Sequence, residues 1–244
     1  MKPRSNTLFH FTKNENVIFE IFKSGFWPKY SLEDIQWQGF KDLDFIAFPM
    51  VCFCDIPLGR ISDHIGFYGE YGLGLTKEWA ERNNLNPLIY VSVGSDLNNC
   101  ISKTMVNVLE TFENNDEPVD EIRYLIAYTK PTEGRMIIDG KPVKKEFYQE
   151  SEWRYVPRNE NITPHINREN HDDIEFLDKA HLKTKEYTSL KFTPNDVSYV
   201  FVPKDSDIPN IINFMQKELD HYPSSDLKVL FSRVVSIESI NRDM

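Results

Sequence analysis

The sequence predicts an α+β domain built on a mixed, mainly antiparallel sheet, and three observations carry that prediction. Apolar runs of strand length, such as Phe45 to Ile56 and Leu88 to Val93, outnumber segments with long helical periodicity. Strand and helix signals do not alternate regularly, as a doubly wound parallel sheet would require. A hydrophobic fraction of 40% and an aromatic fraction of 13% provide the core that disordered chains lack. At 244 residues, a single domain over 1–244 is expected.

Leu8-Phe9-His10-Phe11-Thr12 alternates, so an extended chain sets Phe9 and Phe11 on one face, toward the core, and Leu8, His10 and Thr12 on the other. After Asn14, the residues Val17, Ile18, Ile21 and Phe22 follow helical spacing, and Gly25 sits where a left-handed C-terminal cap is wanted. Aromatics without period predict a loop from Trp27 to Asp44. Phe45 to Ile56 then reads as a buried strand, with Pro49 at its edge or at a bulge. Gly69, Gly72 and Gly74, set among Tyr, Leu and Thr between Tyr68 and Lys77, suit a turn feeding a strand whose backbone is closely approached. A short helix over Lys77 to Asn83 follows.

Leu88 to Val93 is the second clear buried strand. Leu97, Ile101, Met105, Val108, Leu109 and Phe112 trace one apolar helical stripe that ends in the acidic loop Glu113 to Pro118. Glu121 to Tyr128 reads as a helix, and Arg135 to Ile138 and Lys145 to Val156 as strands separated by an Asp139-Gly140 turn. Residues 157–186 are the most polar stretch and are expected to form a partly mobile insertion, with a short helix around Ile174, Phe176 and Leu177. The tail returns to order. Val197 to Val202 reads as a strand, Ile208 to Leu219 as a helix burying Ile211, Ile212, Met215 and Leu219, and Leu227 to Phe231 as a last strand.

The balance of 28 Lys and Arg against 38 Asp and Glu gives a formal charge of -10, which disfavours broad docking on nucleic acid or anionic membrane but leaves a nucleic-acid substrate open. Cys52, Cys54 and Cys100 are odd in number, and the first two lie too close along an extended run for a disulfide scaffold. The opening residues are interrupted by His10 and Lys13 before an apolar run reaches leader length, and no stretch approaches a membrane span. A cytoplasmic location is therefore expected.

Three places offer chemistry. His10 puts an imidazole, able to donate to a ribose hydroxyl or to titrate near neutrality, opposite two core phenylalanines. Taken alone, a satisfied half-buried histidine is the favoured reading. Tyr68 and Tyr71 beside glycines offer flat faces where backbone can approach a planar ligand, and core packing explains them equally well. In Glu150-Ser151-Glu152-Trp153-Arg154-Tyr155, alternation sets Glu150, Glu152 and Arg154 on one face. A carboxylate held there is rigid enough for catalysis. An exposed charged column contributing little to stability is the simpler reading. The Cys52-Cys54-His64 grouping lacks zinc spacing and a fourth ligand, so no metal is expected.

Taken together, Leu8 to Thr12, Gly25-Phe26-Trp27-Pro28, the Met50 to Leu58 block with its Cys-Phe-Cys-Asp-Ile-Pro-Leu core, Tyr68 to Leu75 and Glu152-Trp153-Arg154 resemble the AbiGi family of abortive phage-resistance proteins. The resemblance runs through most of the chain and implies a phage-defence setting. The family's antitoxin label implies a cognate toxin partner. A more distant resemblance, a strand ending His-x-Thr before a short helix and a glycine, is to ADP-ribosyltransferases such as the DarT toxins. It implies NAD as cofactor, with His10 and Thr12 on the ribose and amide, Tyr68 or Tyr71 stacked on nicotinamide, and Glu152 supporting the oxocarbenium charge that develops at the reacting ribose. Glu150 competes with Glu152 for that last role. Two non-catalytic readings stand beside it: an antitoxin or interaction module that neutralises its partner, and a small-molecule or nucleotide sensor.

Overall fold

A computed structural model describes residues 5–39, 44–113, 117–138 and 141–243. The Asp139-Gly140 turn and residues 114–116 of the acidic loop lie outside them. In chain order the strands and helices are β1 (Thr7–Thr12), α1 (Glu15–Ser24), β2 (Lys29–Asp34), β3 (Phe45–Cys54), α2 (Ile61–Tyr68), β4 (Tyr71–Thr76) and α3 (Lys77–Arg82). There follow β5 (Asn86–Pro87), β6 (Ile89–Val91), α4 (Asp96–Thr111), α5 (Glu117–Ala127), β7 (Thr129–Pro131), β8 (Glu133–Ile138), β9 (Lys141–Glu146) and β10 (Glu152–Tyr155). The last are β11 (Ile166–Asn167), α6 (Arg168–Asp172), α7 (Ile174–Thr188), β12 (Val197–Val202), α8 (Ile208–Glu218), α9 (Ser224–Phe231), β13 (Val234–Ser236) and α10 (Ile237–Asp243). The class is α+β. Apart from the parallel β12/β13 and β6/β7 pairs, the registered ladders are antiparallel.

Two compact units share this chain. The first holds Met1–Trp27, Cys52–Leu85 and Ser189–Met244; the second holds Pro28–Val51 and Asn86–Thr188. In the first unit β1 pairs with β4 from Thr7 opposite Thr76 to Thr12 opposite Tyr71, and with the end of β3 at Phe9 opposite Cys54. β12 lies on the far side of β4 and carries β13 parallel to it. The Asn14 side chain caps α1 by accepting from the Asn16 N–H, and Gly25 ends it at φ 83°, ψ 177°, a conformation open to glycine but outside the left-handed helical region expected for the cap. Ile18, Ile21 and Phe22 are buried, whereas Val17 is exposed, because its position falls off that stripe.

In the second unit β2 runs antiparallel to β3, Lys29 opposite Met50 through Asp34 opposite Phe45. The expected loop from Trp27 to Asp44 thus contains a strand. Its residues Lys-Tyr-Ser-Leu-Glu-Asp carry one deeply buried side chain, Tyr30, so little apolar alternation marks it. The Tyr30 hydroxyl donates to the Thr163 carbonyl (2.5 Å) and its N–H to His181 Nε2 (3.1 Å), fastening β2 to α7 and the segment before it. Pro49 sits within β3 opposite Tyr30. β10 lies beside β3 and pairs with β5.

Four other expectations are corrected. Leu227 to Phe231 is part of helix α9, in which Leu227 and Leu230 are buried at a spacing of three; a five-residue apolar run does not separate strand from helix. The run from Lys145 to Val156 is broken by a 3-10 turn, Phe147–Glu150, and by Ser151 at φ 44°, so Glu150 is not on the strand of Glu152. The α4 stripe is mostly shallow: Met105 is buried, while Leu97 and Phe112 are exposed. The polar stretch 157–186 contains most of a fifteen-residue helix, α7, where Ala180, Thr184 and Thr188 pack inward at i, i+4, i+8; two of those three are polar, which hides the stripe. Among the described residues no helix is long and apolar enough to cross a membrane.

Candidate functional site

In the first unit the alternation of β1 decides which candidates can meet. Directly opposite residues of an antiparallel pair share a face. His10 opposite Leu73 and Thr12 opposite Tyr71 therefore lie on one face, while Phe9 and Phe11, opposite Gly74 and Gly72, lie on the other. Tyr68 packs with the Phe9 and Phe11 cluster and against His64 (ring centroids 4.5 Å). The tyrosine that shares the His10 face is thus Tyr71.

The His10 ring is wedged between Phe26 (5.2 Å, edge-on) and Phe53 (5.5 Å), and its Nδ1–H donates to the Cys52 carbonyl at 2.8 Å. A carbonyl only accepts, so the proton belongs on Nδ1 and Nε2 carries the lone pair. Burial lowers the pKa of His10, and the Cys52 bond offsets part of that; the ring is neutral at pH 7. Tyr71 is raised in pKa by partial burial and by Glu15, Asp207 and Glu70. Those three carboxylates make its surroundings unfavourable for a pyrophosphate. Tyr71, Lys13, Ser62, Glu70 and Asn241 line a cleft of about 550 Å³, to whose lining His10, Thr12 and Tyr68 do not contribute.

The glycine spacing of β4 has a packing explanation. A Cβ on Gly72 would lie 2.5 Å from the Phe11 ring, and one on Gly74 2.7 Å from Thr7 Cγ2 and 3.0 Å from the Phe9 ring. The backbone is closely approached as the sequence predicts, and what approaches it is the protein's own aromatic face. Cys54 is buried in the same cluster, and Phe201 stands edge-on to Phe9 at 5.6 Å.

In the second unit Glu152 and Arg154 form the centre of a buried charge cluster. Arg154 is fully buried, and Glu152 is 6% exposed. Arg154 Nε donates to Glu152 Oε1 at 2.6 Å, Nη2 to Glu33 Oε1 at 2.7 Å, and Nη1 to the Ala127 carbonyl at 2.7 Å. Lys130 Nζ holds Glu152 Oε2 at 2.9 Å and lies 4.6 Å from the centroid of the Phe147 ring. The Glu152 N–H donates to the Tyr90 hydroxyl at 2.8 Å, and burial pushes that phenol up to about 12. Burial works to raise the Glu152 pKa, but Arg154 and then Lys130 outweigh it, so the carboxyl is held well below its usual range. Lys130 is raised, burial being outweighed by Glu152 and Glu33.

The exposed charged column expected over Glu150, Glu152 and Arg154 is therefore corrected: the Glu152 and Arg154 face is the buried one. Glu150, in the 3-10 turn, is buried too and pairs with Lys145 at 2.5 Å. Each oxygen of Glu152 already faces a cation of the chain. A carboxylate that supports positive charge on a reacting ribose needs an oxygen turned to the substrate. Glu33, Tyr90 and Lys130 were missed in the sequence, since no spacing links residues 33, 90, 130 and 152 before the fold unites them.

Comparison with known proteins decides the family. The family model described as "Putative abortive phage resistance protein AbiGi, antitoxin" matches residues 24–203. The chain belongs to the AbiGi family. It is also similar to the "Abortive phage resistance protein AbiGi" of Lactococcus lactis subsp. cremoris, 27% identical over 248 residues that cover 89% of this chain and 99% of that protein. No solved structure matches the chain. The match to the AbiGi model spans β2, β3 and the whole second unit from Asn86 to Thr188, so it includes the Glu152-Arg154 cluster and leaves β1 with His10 outside.

Proposed function

We propose that this AbiGi-family chain acts in phage defence as the non-catalytic antitoxin of a pair, neutralising a toxin partner by binding it. The observation that carries the reading is the state of Glu152. This strand carboxylate, the candidate for transferase chemistry, is spent on Arg154 and Lys130, inside the region matched to a family labelled antitoxin. Its ion pairs support a structural role, and the formal charge of -10 suits a partner of basic surface. The test is expression in cells. Alone, the chain is expected to leave growth unchanged, and co-expressed with the toxin encoded beside it, to restore growth and co-purify as a complex. Growth arrest by the chain alone, relieved by Glu152→Gln, overturns the reading.

A second reading, an ADP-ribosyltransferase-like site that retains NAD binding without transfer, rests only on the face that His10, Thr12 and Tyr71 share, and the carboxylates around Tyr71 weigh against it. It predicts a thermal shift of the chain at millimolar NAD that Tyr71→Ala abolishes. No shift with the wild-type chain removes it.

A further inference from the structure

The second unit contains a cleft of about 540 Å³ between α5 and the segment from Val156 to His165. Glu117, Asp120, Glu121 and Tyr124 line it from one face of α5, at helical spacings of three and four. Its floor is apolar and buried: Phe48, Val156 and Ile162. Glu160 lines it from the other side and is exposed.

The charges do not balance. Arg158 lies over the Tyr124 ring, 3.9 Å from its centroid, and both terminal nitrogens hold Glu121 at 2.9 Å. Arg123 pairs with Asp120 at 3.4 Å. Each lining arginine is thus matched by a carboxylate of the same cleft. Glu117 and Glu160 remain, without an ion-pair partner among the described residues. His165 adds no positive charge at pH 7, because burial lowers it to about 4.

Resting on the antitoxin reading, we propose that this cleft is the partner-docking site, receiving a basic side chain on a segment of the toxin. The alkyl stem of the basic residue lies on the Phe48, Val156 and Ile162 floor, and its charge meets Glu117 and Glu160. Long cationic side chains pair an apolar stem with a charged head in this way. The charge pattern selects against other occupants: a second copy of this chain brings a like net charge of -10, and a phosphate backbone meets two unmatched carboxylates.

The test measures the Kd of the purified full chain for the co-encoded toxin, together with rescue of growth in cells. The double variant Glu117→Lys with Glu160→Lys is expected to stay folded and to melt only slightly below wild type, because both side chains are exposed and only the loss of Glu117 from the first turn of α5 counts against it, yet to bind at least about tenfold more weakly and to lose rescue. Glu117→Gln with Glu160→Gln weakens binding less and flattens its dependence on salt. Wild-type rescue with unchanged affinity in the lysine variant overturns the cleft and leaves the antitoxin reading standing. A complex in which hydrogen exchange on α5 and residues 156–165 is unaltered overturns it too. A wild-type chain that neither binds nor rescues overturns the antitoxin reading, and this proposal with it.

Discussion

The two units specify their centres by opposite means. Around β1 and β4 the first unit is fixed by shape: Phe9 and Phe11 fill the space that Gly74 and Gly72 leave, within a cluster of apolar side chains. Around β10 the second unit is fixed by charge, Arg154 joining Glu33, Glu152 and the Ala127 carbonyl with no solvent exposure of its own. An apolar centre loses stability in proportion to misfit, whereas a buried ionic one loses it abruptly when a single partner goes, because the remaining charges lie where water cannot solvate them.

The largest effect is expected from Arg154→Ala. It strands Glu152 with Lys130 alone and leaves Glu33 and the Ala127 carbonyl without their donor, which costs about 3–5 kcal/mol of folding stability. Urea titration at pH 7 is the measurement. A loss below about 1 kcal/mol would mean that the cluster is solvated and that Glu152 is free for other work. Glu152→Gln is milder, since the amide oxygen still accepts from one of the two cations.

Next is Gly72→Ala, whose Cβ would meet the Phe11 ring at 2.5 Å. Overpacking of this kind costs about 1–3 kcal/mol, part of which the ring recovers by shifting. Gly59→Ala is the control, because a Cβ there has nothing within 4 Å and its effect should stay within about 0.5 kcal/mol. Equal effects at the two positions would refute the packing account of the glycine pattern.

This contrast also explains what the sequence made legible. Leu8 to Thr12, the Ile18, Ile21 and Phe22 stripe of α1, and the Tyr71 to Leu75 glycines are local patterns whose meaning lies within a few residues, and the structure repeats them. β2 and α7 were obscured because their inward positions include polar or isolated side chains, Tyr30 on one and Thr184 and Thr188 on the other. The Glu152 cluster was beyond reach for a stronger reason. Strand alternation assigns residues to faces but does not say which face is buried, and the default for Glu and Arg is outward. Its members are separated by up to 121 positions, the distance from Glu33 to Arg154.

A smaller effect separates the units by pH. His10 and His165 are both held neutral by burial. For His165 the folded value near 4 lies below the ordinary 6.5, so the unfolded chain takes up a proton that the folded ring refuses. Its contribution is complete above pH 6.5, falls as the pH drops toward 4, and is constant below. With solvent screening allowed for, the loss is about 1 kcal/mol. His165→Phe should therefore lose less stability than wild type between pH 7 and 4.5 in thermal melts. His10→Phe should likewise reduce the loss of stability below pH 6.5, since burial lowers the His10 pKa from its ordinary value. A substitution that leaves the window unchanged shows that its histidine is not held neutral by burial.

The smallest effect tests whether surface charge behaves as buried charge does. Arg158 and Glu121 form a two-bond pair of ideal length, yet both side chains are more than half exposed. Arg158→Ala is therefore expected to cost only about 0.2–1 kcal/mol, including what stacking on Tyr124 adds. A double-mutant cycle with Glu121→Ala isolates the pair. A coupling energy that fades in 0.5 M salt places Arg158 with ordinary surface ions. A coupling above about 2 kcal/mol, insensitive to salt, would show that the cleft beside it excludes water as the Arg154 cluster does, and would make the second unit ionic from its centre to its rim.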